Sequence, residues 1–247
     1  MLYGVDDGAR TLDDSVAMVR MAAQAGTTDI VCSPHANPTY HYDPELIRTR
    51  VGEIAGASGN AVRLHIGCDF HLSYDNIQDA VANPKKYTIN GKCYLLVEFS
   101  DLLIFNNTPE IFARLQEQGM IPIVTHPERN ALLRQRIDNI AKWVEAGALV
   151  QVTAQSILGE FGNNARDFSE TLLNRGLVHF IASDAHDTQR RPPRLDLAHA
   201  WLKKRRGEAL ADALCIDNPR ATLTGDVVDL PDVDIPRSTR KWYHIFR

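Results

Sequence analysis

The chain has 247 residues, of which 44% are hydrophobic, and a formal net charge of −4. This is enough for one large domain with a sizeable core, and α/β barrels of this length are common. The mildly acidic balance leaves no basic footprint for nucleic acid. No apolar run nears the roughly 18 residues of a membrane span and no charged-then-apolar leader opens the sequence, so the expectation is a cytoplasmic protein that is not an integral membrane protein.

The first elements predicted are a loop at Asp6-Asp7-Gly8 and a helix from about residue 12, capped by Thr11 and stopped at Gly26. Its apolar face is Leu12, Val16, Val19 and Ala23. A strand over 29–33 ends in Pro34-His35, and Asp43-Pro44 starts a helix reaching about residue 57. The next strand, 62–66, runs into Gly67-Cys68-Asp69-Phe70-His71. Residues 87–98 carry an Asn90-Gly91 hairpin signal, with Glu98 closing the second, more apolar strand.

Thr108-Pro109 starts a helix that stops at Gly119, and strand 121–125 ends in His126-Pro127-Glu128-Arg129. A helix up to Ala146 leads to strand 148–152, a further helix over 165–175 follows, and Gly176 precedes an apolar run from Val178. Beyond it, 194–206 reads as an amphipathic helix and 208–215 continues helical. The regular alternation of strand, polar loop and helix implies a parallel sheet with crossover helices outside. Residues 1–224 form this domain, and 225–247 read as an extended tail docking through Trp242, Tyr243 and Phe246. The pattern has no strand before its first loop, and a closed barrel lacking one would expose two apolar edges; a strand upstream of Met1 is therefore expected.

The cysteines (Cys32, Cys68, Cys93, Cys215) show no CxxC spacing. Cys32 and Cys93 lie in strand-like runs and read as buried, reduced thiols. None is followed six residues later by arginine, which excludes the usual cysteine-nucleophile phosphatase loop, so any phosphate chemistry must come from metals.

The segment 178–193, VHFIASDAHDTQRRPP, concentrates the candidate chemistry. Asp184 and His186 are two apart, so a continuing pleat would point both to one side of the sheet. A carboxylate and an imidazole there suit a divalent metal, and the arginines that follow suit a phosphate. The plain alternative is an Asp capping the next helix beside a surface His.

Polar residues fall repeatedly at predicted strand ends: Asp7, His35, Asp69, Glu98, His126, Asp184 and His186. Each alone has an ordinary explanation as a turn residue or a hydrogen-bonded core group. Together, on the active face of such barrels, they suggest a cluster of His and carboxylate ligands for Mn²⁺, Fe or Zn²⁺. His65 and His179 lie within strands, His199 on a helix and His244 in the tail, whereas His41 and His71 are in loops near the presumed site.

GVDDGA at the start, SPH at 33–35, LVEF at 96–99, THPER at 125–129 and SDAH followed by RRPP resemble the polymerase-and-histidinol-phosphatase (PHP) superfamily. Within it they resemble the bacterial capsule-type manganese-dependent protein-tyrosine phosphatases, from Tyr3 to about Leu223. The resemblance implies a distorted (β/α)7 barrel of the PHP type holding up to three ions, Mn²⁺ foremost. It implies that Asp7, His35 and His186 hold one ion, Glu98 and His126 a second and Asp184 a third, with Asp69 bridging two. Arg129 and Arg191 would be the catalytic, substrate-binding clamp on the phosphate. Metal-bridged hydroxide would attack phosphorus in line, and a phenolate with a pKa near 10 leaves without a phosphoenzyme. The partner implied is the phosphorylated, Tyr-rich tail of a bacterial tyrosine autokinase controlling capsule or exopolysaccharide synthesis.

The sequence departs from that pattern twice. The family's opening strand carries His-x-His, which is absent here and would leave Asp184 short of partners. Asp69 stands where the family has glutamate, one methylene longer. Two other readings stay open: a small-molecule phosphomonoesterase of the histidinol-phosphate type, and a non-catalytic phosphotyrosine-binding module.

Overall fold

The computed structural model describes residues 1–228. The proposed tail lies largely outside them, including Trp242, Tyr243 and Phe246. Among the described residues, helix α1 (Leu12–Gln24) forms where expected: Thr11 and Asp14 make a reciprocal capping box that satisfies orphan backbone donors. Helix α2 (Pro44–Ala57) starts behind Asp43, whose carboxylate accepts the N–H groups of Glu45 and Leu46.

Eight strand segments are present, of which β2 and β4 were not predicted: β1 (Asp29–Cys32), β2 (His35–Ala36), β3 (Arg63–Ile66), β4 (Asp69–His71), β5 (Tyr94–Glu98), β6 (Ile121–Thr125), β7 (Leu149–Thr153) and β8 (Phe180–Ala182). All pairings are parallel, β1 with β3 and then β2-β4-β5-β6-β7-β8. The two sheets are one sheet with a local break. Asp29 pairs with Arg63 and His35 with Asp69, an unchanged offset of 34 positions. Pro34 supplies no N–H to the ladder, but Gly67 N–H donates to Cys32 O and Asp69 N–H to Pro34 O, carrying the register across the gap. Gly67 is required at this close approach, since a Cβ there would lie 2.6 Å from Val31 Cγ1.

The helices α3 (Tyr74–Ala82), α4 (Thr108–Glu117), α5 (Ile137–Glu145), α6 (Ala154–Leu158), α7 (Asn163–Asn174), α8 (Asp196–Arg206), α9 (Glu208–Asp212) and α10 (Asn218–Thr224) complete the order. Short α6 was not visible in the sequence because it follows β7 directly, with no loop. A main cluster of apolar side chains from the strands and helices forms the core. The open edges of β1/β2 and β8 line one cavity of about 670 Å³, so the sheet curls towards closure, and among the described residues neither outer edge has a partner strand.

Two expectations are corrected. The Asn90-Gly91 signal makes no hairpin: residues 89–91 form a 3₁₀ turn with Asn90 at φ 52°. Both sides of β5 are taken by parallel β4 and β6, leaving no position for an antiparallel partner. Cys93 is half-buried just ahead of β5, while Cys32 and Cys68 are fully buried; all four thiols are free.

His179 is a core residue just before β8. Its Nδ1 accepts the Val150 N–H at 3.2 Å, and its carbonyl accepts from Asn218 Nδ2 at 2.9 Å. Burial pushes its pKa down to about 4, so the fold holds the ring neutral whereas the unfolded chain protonates it below about 6.5. Its contribution is complete well above pH 6.5 and is lost as pH falls towards 4, on the order of 3 kcal/mol in all. His179→Asn, which keeps an acceptor near the Nδ1 position, should lessen the fall in urea midpoint between pH 6.5 and 4 relative to wild type.

Candidate active site

Parallel neighbours lie about 4.8 Å apart, so register alone sets His35 beside Asp69 and His71 beside Glu98. His35 stands at the centre. Its Nε2 is 3.5 Å from Asp7 Oδ1, and its Nδ1 is 3.4 Å from Asp69 Oδ2 and 3.5 Å from Glu98 Oε2. Two donor groups result, Asp7–His35–His186 and His35–Asp69–Glu98, with the donor atoms of each within 4.8 Å of one another. His126 Nε2 adjoins the second at 3.6 Å from Glu98 Oε1 and 3.9 Å from Asp69 Oδ2. Although shorter than glutamate, Asp69 reaches the space between His35 and His126, and Thr125 Oγ1 donates to its other oxygen at 3.4 Å.

These separations are long for hydrogen bonds. They suit donors arranged around a cation, because ligands at about 2.0–2.2 Å from an ion stand roughly 3–3.5 Å apart. His35 Nδ1 is buried without a hydrogen-bond partner. His186 Nδ1 donates to the Asp184 carbonyl at 2.9 Å, leaving the Nε2 lone pair facing Asp7 Oδ1 at 3.4 Å. A ring nitrogen tied to a carbonyl while the other faces outward is the usual arrangement of a metal-binding imidazole. The donor set, nitrogen and oxygen without thiolate, fits a divalent cation.

The electrostatics agree. Burial opposes protonation of His35, but Glu98 and Asp69 outweigh it and push its pKa up to about 9. Burial likewise opposes protonation of His126, and Asp69 and Asp184 raise it to about 9. Burial raises Asp69, while Glu98, despite its own burial, is lowered by His35, His71 and His126. The pocket concentrates negative charge and favours whatever positive charge enters it.

Asp184 takes no part in either donor group. Its Oδ2 accepts from both Arg129 Nη1 and Arg191 Nη2. Its carboxyl is held low because His126, Arg191 and Arg129 outweigh its burial. The expected pleat does not continue: β8 ends at Ala182 and Asp184 has φ 48°, so a turn, tied by His186 N–H to Arg191 O, orients His186. Asp184 also caps no helix, since α8 starts at Asp196. His126 too has a positive φ, 34°; non-glycine residues in this region are uncommon and cluster at functional sites. Arg190 is exposed, with its carbonyl held by Gln155 Nε2, whereas Arg191 Nε is buried without a partner.

Of the other histidines, His71 Nδ1 lies 3.9 Å from Glu98, His41 is exposed, His65 pairs with Asp29 and His199 with Asp212. Several site residues were missed in the sequence. Asp6 Oδ2 accepts the His35 N–H at 3.3 Å, and Tyr40 stacks on the His35 ring. Glu128, fully buried, accepts Thr153 N–H and Ser156 Oγ–H, anchoring the loop after β6 to α6. The adjacent acidic pair Asp6-Asp7 was the available signal for the first and the THPER motif for Glu128; Tyr40 lacked one.

The family described as capsular polysaccharide synthesis, CpsB/CapC, matches residues 1–224. CapC of Staphylococcus aureus is 36% identical over 196 residues, 78% of this chain and 76% of its own. The tyrosine-protein phosphatase YwqE of Bacillus subtilis is 31% identical over 85% of this chain and 84% of its own. A chain from the crystal structures of YwqE and Streptococcus pneumoniae CpsB, described as unique metal-dependent tyrosine phosphatases, superposes with a TM-score of 0.86. That chain is 28% identical, and the superposition covers 94% of this chain and 95% of that one. The protein described here therefore belongs to the CpsB/CapC family of capsular polysaccharide synthesis proteins.

Proposed function

We propose that this protein is a metal-dependent protein-tyrosine phosphatase that acts in the cytoplasm on the phosphorylated tail of a tyrosine autokinase in capsule or exopolysaccharide synthesis. The observation that carries the reading is the convergence of two donor groups on His35 beside two arginines that share one anionic oxygen. Among the described residues no helix is long and apolar enough to cross a membrane.

Asp7, His35 Nε2 and His186 Nε2 would hold one ion, and Glu98, His126 and Asp69 a second, with Mn²⁺ the leading candidate. A neutral imidazole has one lone pair, so His35 serves one ion and turns its Nδ1–H towards Asp69 and Glu98. Bound there, divalent cations supply Lewis acidity and an acidified water. Arg129 and Arg191 meet one oxygen of Asp184, and a phosphate oxygen would be gripped in the same way. Asp184 is thus assigned to the arginines, keeping them convergent and partly neutralised. Tyrosine leaves as a phenolate with a pKa near 10, so the site needs no strong acid.

Mn²⁺-loaded protein should hydrolyse phosphotyrosine peptides, lose that activity to a chelator and regain it on adding the metal back. A marked preference for small alkyl phosphates would move the substrate to the small-molecule class, and no turnover with metal bound would sink the phosphatase reading. Arg129→Ala and Arg191→Ala should each lower kcat/KM by roughly 10²-fold with bound metal unchanged. His35→Ala should instead lower the metal content per chain, read by elemental analysis.

A further inference from the structure

We propose that Phe161 is a positioning residue for Arg129, holding its guanidinium through a cation–π contact so that its N–H groups stay turned to the phosphate position. This rests on the reading of Arg129 as a phosphate ligand. The guanidinium carbon lies 4.8 Å from the Phe161 ring centroid, within the roughly 6 Å range of such contacts.

The loop that presents the ring is well defined. Gly159 ends α6 at φ 87° and Gly162 precedes α7 at φ 85°, a left-handed backbone that glycine adopts freely. Glu160 N–H donates to Gln155 O at 2.9 Å and Gly162 N–H to Gly159 O at 3.1 Å, closing the turn beneath the aromatic. Phe161 is half-buried and belongs to neither hydrophobic cluster among the described residues. Core packing therefore does not account for an aromatic here, and the ring instead lies against the Arg129 guanidinium.

Arg129 is otherwise fixed only in part. Arg134 Nη1 donates to the carbonyls of Glu128 and Arg129, which ties down the backbone. The guanidinium contacts Asp184 and lies over the Phe161 ring. When a phosphate draws on the same N–H groups, the Asp184 contact has to be shared. The contact with the ring is separate from the Nη1 contact with Asp184, so it can persist while substrate binds. An arginine held this way loses less rotamer freedom on binding. The expected effect is therefore on phosphate affinity more than on the chemical step.

The test compares Phe161→Leu, which keeps apolar bulk without a π face, with Phe161→Trp, in the full, metal-loaded chain. Phe161→Leu should raise KM for a phosphotyrosine peptide roughly 3- to 20-fold with little change in kcat, bound metal or Tm, and Phe161→Trp should restore the wild-type KM. In NMR spectra the Arg129 Nε–Hε signal should carry a ring-current shift that Phe161→Leu removes and Phe161→Trp retains. Affinity for inorganic phosphate, measured by calorimetry, reads the same grip without turnover. A Phe161→Leu protein that binds phosphate like wild type, or a Trp variant as weak as the Leu variant, overturns the proposal. Normal phosphate binding with the expected Leu/Trp contrast but no hydrolysis by wild type would support the role of Phe161 and count against the phosphatase reading.

Discussion

His35 is flanked by three carboxylates, Asp7, Asp69 and Glu98, each within 3.5 Å, an arrangement that positive charge stabilises. Several carboxylates crowded into a half-buried pocket repel one another, and burial removes the water that would screen them. The carboxylates raise the pKa of His35 and His126 to about 9, so protonated imidazoles offset this charge near neutral pH, while Arg129 and Arg191 pair with the neighbouring Asp184. A divalent cation supplies more charge per site than a proton and takes the same nitrogen and oxygen atoms as ligands. The same electrostatics that raise the histidines would favour a cation among these donor atoms.

The rest of the fold holds these charges against their repulsion. The parallel register places His35 next to Asp69 across a break in the strands, and Gly67 permits the close approach that keeps the register intact. Left-handed backbone at His126 and Asp184 turns both chain segments as they leave the sheet. Glu128 lies in the same loop as His126 and Arg129 but faces inward, where it binds Thr153 and Ser156. One short motif thus contributes a site histidine, a site arginine and a structural anchor, which alternate between the pocket and the core.

Much of this was legible in the chain. Capping signals at Thr11 and Asp43 marked helix starts that the structure bears out, since caps are local hydrogen bonds between residues three or fewer apart. A mainly parallel sheet with crossover helices followed from the alternation of apolar runs and helices. The Asn90-Gly91 turn misled because its backbone preference was correct while its partner was not: a hairpin needs a free neighbouring edge, and β5 has none. Helices α3 and α10 were not predicted either, and short α6 escaped because it follows β7 directly with no loop to mark it.

The sequence by itself marked the candidate site residues and, for all but Asp7, their place at or next to strand ends, because side-chain type and strand boundaries are properties of short segments. Only the tertiary structure decided how they divide: His35 between two donor groups, Asp184 with the arginines, and Arg191 rather than Arg190 turned inward. Those assignments depend on distances between atoms from segments far apart in the chain. Such distances are set by sheet register, by curl and by two left-handed turns, and none of these is written in the residues on either side.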